Sequence, residues 1–111
     1  MNWIDINNIQ QLADIKELSK TRPQVIFKHS TRCSVSSMAK ARLERNTPPG
    51  QIDFYYLDLL KFRPISDKIA SDYSVYHESP QVLLIRNAEC IYDESHNGIR
   101  MDEIEAQLHL S

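Results

Sequence analysis

The amino-acid sequence predicts an α/β fold in which helices flank a central mixed sheet of about four strands, with an additional helix at the N-terminus. Two apolar runs alternate with two helical patterns between residues 24 and 73, which predicts parallel strands joined by right-handed crossovers. Two further runs enclose Asn87-Ala88 and predict an antiparallel hairpin. An amphipathic segment precedes the first of these strands. Parallel strands followed by a hairpin give a mixed sheet.

Composition and charge narrow the class of protein. The 111 residues suit one domain, predicted to span residues 1–111, and the 41% hydrophobic and 25% charged residues are typical of a globular protein. A net charge of −2 with no basic run gives little attraction for nucleic acid. No apolar stretch approaches the roughly 20 residues of a membrane helix, and the N-terminus shows no secretory signal. We therefore expect a cytoplasmic protein without nucleic-acid or membrane partners.

The first half of the chain carries two predicted helices and one strand. Apolar residues recur at helical spacing through residues 9–20, and Pro23 closes this first helix. Residues 24–28 (QVIFK) are rich in β-branched and aromatic side chains and predict a strand buried on both faces. An apolar helical stripe begins after Cys33, and residues 46–50 (NTPPG) end it. A strand, a loop and a helix therefore surround the first cysteine.

The second half predicts a strand, a helix, a hairpin and a closing helix. Residues 52–59 form the strand, and Pro64 suits the first turn of the helix that follows. Residues 82–85 and 90–92 form the hairpin, with Asn87-Ala88 as its turn. Ile99 and Ile104 have the spacing of a hydrophobic staple at a helix start, which predicts a last helix through Leu108.

Cys33 is the candidate nucleophile because it lies in a loop at a predicted helix start. Unpaired N–H groups and the positive end of the helix dipole favour a thiolate there, and Arg32 adds a nearby cation of secondary weight. Ser36 stands where a two-cysteine oxidoreductase keeps its resolving thiol, and a hydroxyl cannot close a disulfide. It could donate a hydrogen bond to the thiolate. The alternative is a small buried cysteine followed by an ordinary helix residue.

Pro80 is the second residue that indicates a functional site. It follows Ser79 at the start of a predicted strand, where a cis Ser-Pro bond would bring the backbone beside the thiol loop and form a substrate groove. The alternative is an ordinary trans proline, since about 5–6% of X-Pro bonds in folded proteins are cis. We predict the cis bond, with Pro80 near the sulfur.

The remaining cysteine and the histidines are weaker candidates. Cys90 falls in the predicted hairpin, where a buried, inert thiol is commoner than a resolving one. His29 and His77 lie near Cys33 and Pro80 in sequence, and each either tunes the thiol, contacts substrate or is simply solvated. A metal site built from Cys33 and His29 lacks further ligands at regular spacing, so we expect no metal.

The segments FKHSTRCSVSSMA (residues 27–39) and HESPQVLLI (residues 77–85) resemble the YtxJ family of bacillithiol-system proteins, the monothiol bacilliredoxins. The resemblance covers nearly the whole chain and implies a thioredoxin-like fold. Cys33 matches the family's reactive cysteine, Ser36 the serine that closes its motif, and Pro80 the proline facing the thiol. Relatives often carry proline after the cysteine, whereas this chain has Ser34, which leaves the loop less rigid.

The resemblance implies a monothiol thiol–disulfide oxidoreductase that removes bacillithiol, or a similar low-molecular-weight thiol, from S-thiolated client proteins. Cys33 and Ser36 are its expected catalytic residues, and Arg32, Ser79 and Pro80 its expected substrate-binding residues. We expect no tightly bound cofactor, with the small thiol acting as co-substrate. One alternative is a non-catalytic module that binds clients through the Pro80 groove. A less favoured one is an iron–sulfur cluster held between two chains.

Overall fold

The structure, a computed structural model, describes residues 1–110 and contains five strands and four helices. In chain order these are β1 (Trp3–Asp5), α1 (Gln11–Leu18), β2 (Gln24–His29), α2 (Ser34–Glu44), β3 (Asp53–Asp58), α3 (Arg63–Tyr73), β4 (Gln81–Arg86), β5 (Glu89–Ser95) and α4 (Met101–Leu110). A short 3₁₀ turn, His96–Gly98, joins β5 to α4. The chain contains no helix that is long and apolar enough to cross a membrane, over the residues described.

The strands form one mixed sheet in the order β1-β3-β2-β4-β5. β1, β2 and β3 run parallel, whereas β4 is antiparallel to both β2 and β5. β2 is the central strand, and all six of its residues are buried, as expected for a strand covered on both faces. The predicted α/β class and mixed sheet are therefore confirmed.

The predicted number of strands is one too low, because the sequence does not predict β1, which precedes the N-terminal helix. This strand has three residues, two of them exposed, and pairs with β3 at one edge of the sheet. A segment so short and so exposed carries no alternation of apolar and polar residues. The helix itself is shorter than the predicted 9–20, since a turn at residues 8–10 precedes Gln11 and Ser19 ends it.

Helices cover both faces of the sheet and create two separate apolar cores. On one face α2 and α4 pack over a core built from Val25, Phe27, Ala39, Leu43, Ile52, Phe54, Val82, Leu84, Ile99, Met101 and Ile104. On the other face α1 and α3 pack over Ile6, Leu12, Ile15, Ile26, Tyr55, Leu57, Ile65, Ile69, Leu83 and Ile85. Neighbouring residues of β2 point to opposite faces and therefore into different cores.

The hairpin turn falls at Asn87-Ala88 as predicted. Both residues have positive φ, 53° and 65°, which is the conformation of a two-residue turn matched to the twist of the strands. Alanine is uncommon at such a φ, and hydrogen bonds to a residue outside the hairpin stabilise the turn. Its two amides donate to the carbonyl and the hydroxyl of Ser19, at 2.8 and 2.9 Å, so the end of α1 supports the β4–β5 turn.

Candidate active site

Cys33 lies between the end of β2 and the start of α2. It is the N-cap residue of α2, with extended backbone angles of φ −110° and ψ 121°. Its carbonyl accepts the Ser37 amide at 3.1 Å, and its own amide donates to the Ser30 carbonyl at 3.2 Å. The cysteine is free and partly exposed. The predicted position of the thiol, at a helix N-terminus beside unpaired N–H groups, is confirmed.

Ser36 is fully buried, and its hydroxyl faces the end of β2. The Ser30 amide donates to Ser36 Oγ at 3.0 Å, and His29 Nδ1 lies 2.6 Å from the same oxygen. Among the described residues no hydrogen bond joins Ser36 to the Cys33 sulfur. The hydrogen bond from Ser36 to the thiolate that the sequence suggested is therefore not formed, and the hydroxyl has other partners. The reason is geometric, because Ser36 belongs to the face of α2 that packs on the sheet.

His29 is the site residue whose contacts sequence reasoning left open. It ends β2, is 5% exposed and packs between Phe27 and Tyr56, with ring centroids 5.7 and 5.4 Å away. Burial lowers the pKa of His29 from its usual 6.5, and the Lys40 cation lowers it further. The imidazole is therefore mainly neutral at pH 7. One sequence signal could have placed His29: it follows Val25 and Phe27 at intervals of two residues along β2, so all three side chains lie on the face of the sheet that α2 covers.

Replacing Ser36 with Ala is expected to lower the free energy of unfolding by about 1–3 kcal/mol, because the Ser30 amide and a His29 ring nitrogen would lose their partner. Urea denaturation at pH 7 measures the change. Ser37→Ala is the matched control, since Ser37 is the next, exposed residue of α2, and it should change stability by no more than about 0.5 kcal/mol. Equal stability of the two variants would contradict the structural role given to the Ser36 hydroxyl.

The Ser79–Pro80 peptide bond is cis, as predicted. Pro80 immediately precedes β4, which pairs with β2 as far as Lys28, so the proline and the Cys33 loop lie at the same end of the sheet. The Ser79 hydroxyl is buried and has no hydrogen-bond partner within residues 1–110. Arg32 is exposed. The close approach of Pro80 to the sulfur and the substrate contacts of these three residues stay predictions.

Cys90 is remote from Cys33. In β5 it pairs with Ile85, which in turn pairs with Gln24 at the start of β2, whereas Cys33 follows the other end of that strand. At about 3.3 Å per residue the length of β2 alone separates them by roughly 16 Å, and disulfides need Cα atoms within about 7 Å. Burial raises the pKa of Cys90 to about 11, and its sulfur donates to the Tyr92 carbonyl at 3.3 Å. Cys90 is partly rather than fully buried.

His77 belongs to a polar cluster on the α3 face of the sheet. Lys28 Nζ is buried, donates to the Ser66 carbonyl at 3.1 Å and lies 3.4 Å from His77 Nδ1. The Ser66 hydroxyl is also 3.2 Å from Nδ1, and Arg63 Nη1 is 3.2 Å from His77 Nε2. Burial lowers the pKa of Lys28 to about 8. Burial and the Lys28 and Arg63 cations also lower the pKa of His77.

A partly exposed thiol at a helix N-terminus, a serine one turn later and a cis proline at the same end of the sheet define the site of a thioredoxin-fold thiol–disulfide redox protein. Over the residues described, no three His, Cys, Asp or Glu side chains are grouped so that they could hold a metal ion. The family model for Monothiol bacilliredoxin BrxC matches residues 4–104. The chain therefore belongs to the monothiol bacilliredoxin family.

Solved structures confirm the thioredoxin fold. A proposed oxidoreductase with a thioredoxin fold is 29% identical, with a TM-score of 0.80 over 95% of this chain and 92% of its own. The thioredoxin of Malassezia sympodialis is 17% identical, with a TM-score of 0.75 over 98% and 90% of the two chains. The thioredoxin of Trypanosoma brucei brucei is 13% identical, with a TM-score of 0.70 over 97% and 88%.

Proposed function

We propose that this protein removes bacillithiol, or a similar low-molecular-weight thiol, from protein mixed disulfides by exchange at Cys33. The observation that carries the proposal is the position of the two sulfurs. Cys33 is partly exposed at the start of α2, whereas Cys90 lies level with the opposite end of β2. Ser36 occupies the place of a resolving thiol and is held by other partners. One sulfur therefore has to perform the whole reaction.

The reaction consists of two thiol–disulfide exchanges. In the first, the Cys33 thiolate attacks the small-thiol sulfur of the mixed disulfide, and the client cysteine leaves as a thiolate that takes up a proton. Cys33 then carries the small thiol in a mixed disulfide. In the second, another small-thiol molecule, as its thiolate, attacks the sulfur of that bound small thiol, releases Cys33 and forms the small-thiol disulfide. Two electrons pass from the small thiol to the client, and no metal or organic redox group takes part.

The groups around Cys33 have separate roles in this proposal. Ser36 joins the amide of Ser30 to the ring of His29, and so fixes the loop that carries the thiol. Ser79 and Pro80 form one wall of the client groove, and exposed Arg32 contributes a cation at its rim. The second exchange needs a reduced small-thiol pool, which is the condition of the cytoplasm. We place the activity there.

Mass spectrometry of the intact protein tests the proposal. After the reduced protein is exposed to oxidised bacillithiol, we expect one bacillithiol adduct, located on Cys33 by peptide mapping. Free bacillithiol should then remove it. Cys90→Ser is the matched control and should give the same single adduct, because the Cys90 thiol stays protonated near neutral pH. An adduct confined to Cys90, or no adduct at all, would contradict the proposal.

A further inference from the structure

We propose that Lys28, Arg63 and His77, here called the cationic cluster, form a subsite that binds a carboxylate of the small thiol during exchange. This inference rests on the proposed function and assigns a substrate class to it, since it requires a small thiol that carries an acidic group. Bacillithiol meets the requirement through the carboxylates of its malyl unit. The inference follows from hydrogen bonding, charge and position.

Hydrogen bonding within the protein leaves the cationic cluster short of acceptors. Each ring nitrogen of His77 faces a cationic donor, Lys28 Nζ at 3.4 Å and Arg63 Nη1 at 3.2 Å. A neutral imidazole has one acceptor nitrogen and can satisfy one of these donors, and a protonated imidazole can satisfy neither. The Ser66 carbonyl accepts from Lys28 but offers nothing to Arg63. A bound anion would replace solvent at the exposed Arg63 and His77 and accept hydrogen bonds from both cations.

Charge points the same way. In residues 1–110 no carboxylate lies within ion-pair distance of Lys28, Arg63 or His77, and Asp67 acts on Lys28 and His77 only from farther away. Glu78, next in sequence to His77, lies 3.8 Å from His96 instead. A buried ammonium that has one carbonyl acceptor and no paired carboxylate is unfavourable for folding, which favours a ligand-binding role for Lys28 over a stabilising one.

Position connects the cationic cluster to the thiol loop. Lys28 and His29 are neighbours on β2 and point to opposite faces, with His29 bonded to Ser36 below the thiol. His77 stands three residues before the cis proline Pro80. The cationic cluster and the Cys33 loop therefore lie at the same end of the sheet.

Two members of the cationic cluster are open to a ligand. Arg63 and His77 are exposed, whereas Lys28 is buried. A guanidinium binds a carboxylate through two parallel hydrogen bonds, and a buried ammonium strengthens such a contact because little water screens it. The carboxylate could also belong to an acidic side chain of the client protein. The experiment separates these two sources.

The test compares two mixed disulfides on one client protein, made with bacillithiol and with mercaptoethanol, which has no carboxylate, and mercaptoethanol is the reducing thiol in both reactions. For wild type, we expect a lower KM with the bacillithiol disulfide. Arg63→Gln should raise that KM about tenfold, the loss typical of a charge-assisted hydrogen bond, and leave the mercaptoethanol reaction unchanged. Lys68→Gln is the matched control, because Lys68 is an exposed cation of the same helix paired with Asp72, and it should change neither reaction.

Other results would overturn the inference. An equal loss on both disulfides in Arg63→Gln would make Arg63 a structural or client-binding residue, and no loss on either would exclude an anion subsite. Lys28→Met provides a second variant that should show the same selectivity for the carboxylate-bearing substrate. Wild-type protein without activity on either disulfide would refute the proposed function itself, and the subsite would fail with it.

Discussion

Replacing Cys33 with Ser is expected to reduce bacillithiol release from a model mixed disulfide to the uncatalysed rate. The serine hydroxyl is a far weaker nucleophile and cannot form the disulfide intermediate, so no increase in pH should restore the reaction. Release of bacillithiol, followed from pH 6 to 9 for both proteins, measures the effect. The structure offers no substitute, since the second thiol is held level with the far end of β2.

Cys90→Ser is the control for that experiment and should retain most of the activity. The two variants make the same Cys-to-Ser change at different places in the fold, so the pair shows which of the two cysteines carries the reaction. Activity retained in Cys33→Ser, with folding preserved, would refute the enzymatic proposal and favour a module that only binds clients. Activity lost in Cys90→Ser would instead indicate a two-cysteine mechanism.

Replacing Lys28 with Met is expected to stabilise the fold at pH 7 by roughly 1–3 kcal/mol, because it removes a buried charge. Burial lowers the pKa of Lys28 from 10.5 to about 8. Below pH 8 both the folded and the unfolded chain hold the proton, so the folded state bears the full unfavourable energy of the charge. Between that value and pH 10.5 the folded chain releases its proton first, and the contribution of Lys28 to stability rises with pH.

The advantage of Lys28→Met should therefore shrink between pH 7 and pH 10. Urea denaturation of wild type and variant at the two pH values measures it. Lys16→Met is the control, since Lys16 is an exposed lysine of α1, and it should change the free energy of unfolding by no more than about 0.5 kcal/mol. A variant less stable than wild type at pH 7 would show that the Lys28 contact with the Ser66 carbonyl outweighs the burial of the charge.

The local parts of the fold could be predicted because their signals are contained in short segments. Residues 24–28 and the apolar stripe after Cys33 identified the strand and helix that hold the thiol, and Asn87-Ala88 identified the hairpin turn. β1 was missed because three residues at a sheet edge carry no periodic pattern. Its place depends on pairing with β3, which lies about 50 residues away in sequence.

The polar contacts of the site could not be predicted in the same way. The sequence placed Ser36 one turn after Cys33, but its partner was decided by how α2 packs against the end of β2. The pattern of residues 24–28 predicts a doubly buried strand that includes Lys28 but indicates no partner for its charge. The partners of Lys28 come from α3 and from the segment before Pro80. These segments are distant from Lys28 in sequence, and no residue spacing predicts that they contact it.

The central position of β2 has a consequence for how the thiol responds to thermal fluctuation. Strands at the margins of a sheet fray first, and here those are β1 and β5. β2 is bound by β3 on one side and by β4 on the other, and every one of its side chains is enclosed. We therefore expect opening at either margin to leave β2, and with it the base of the Cys33 loop, paired with both of its neighbours.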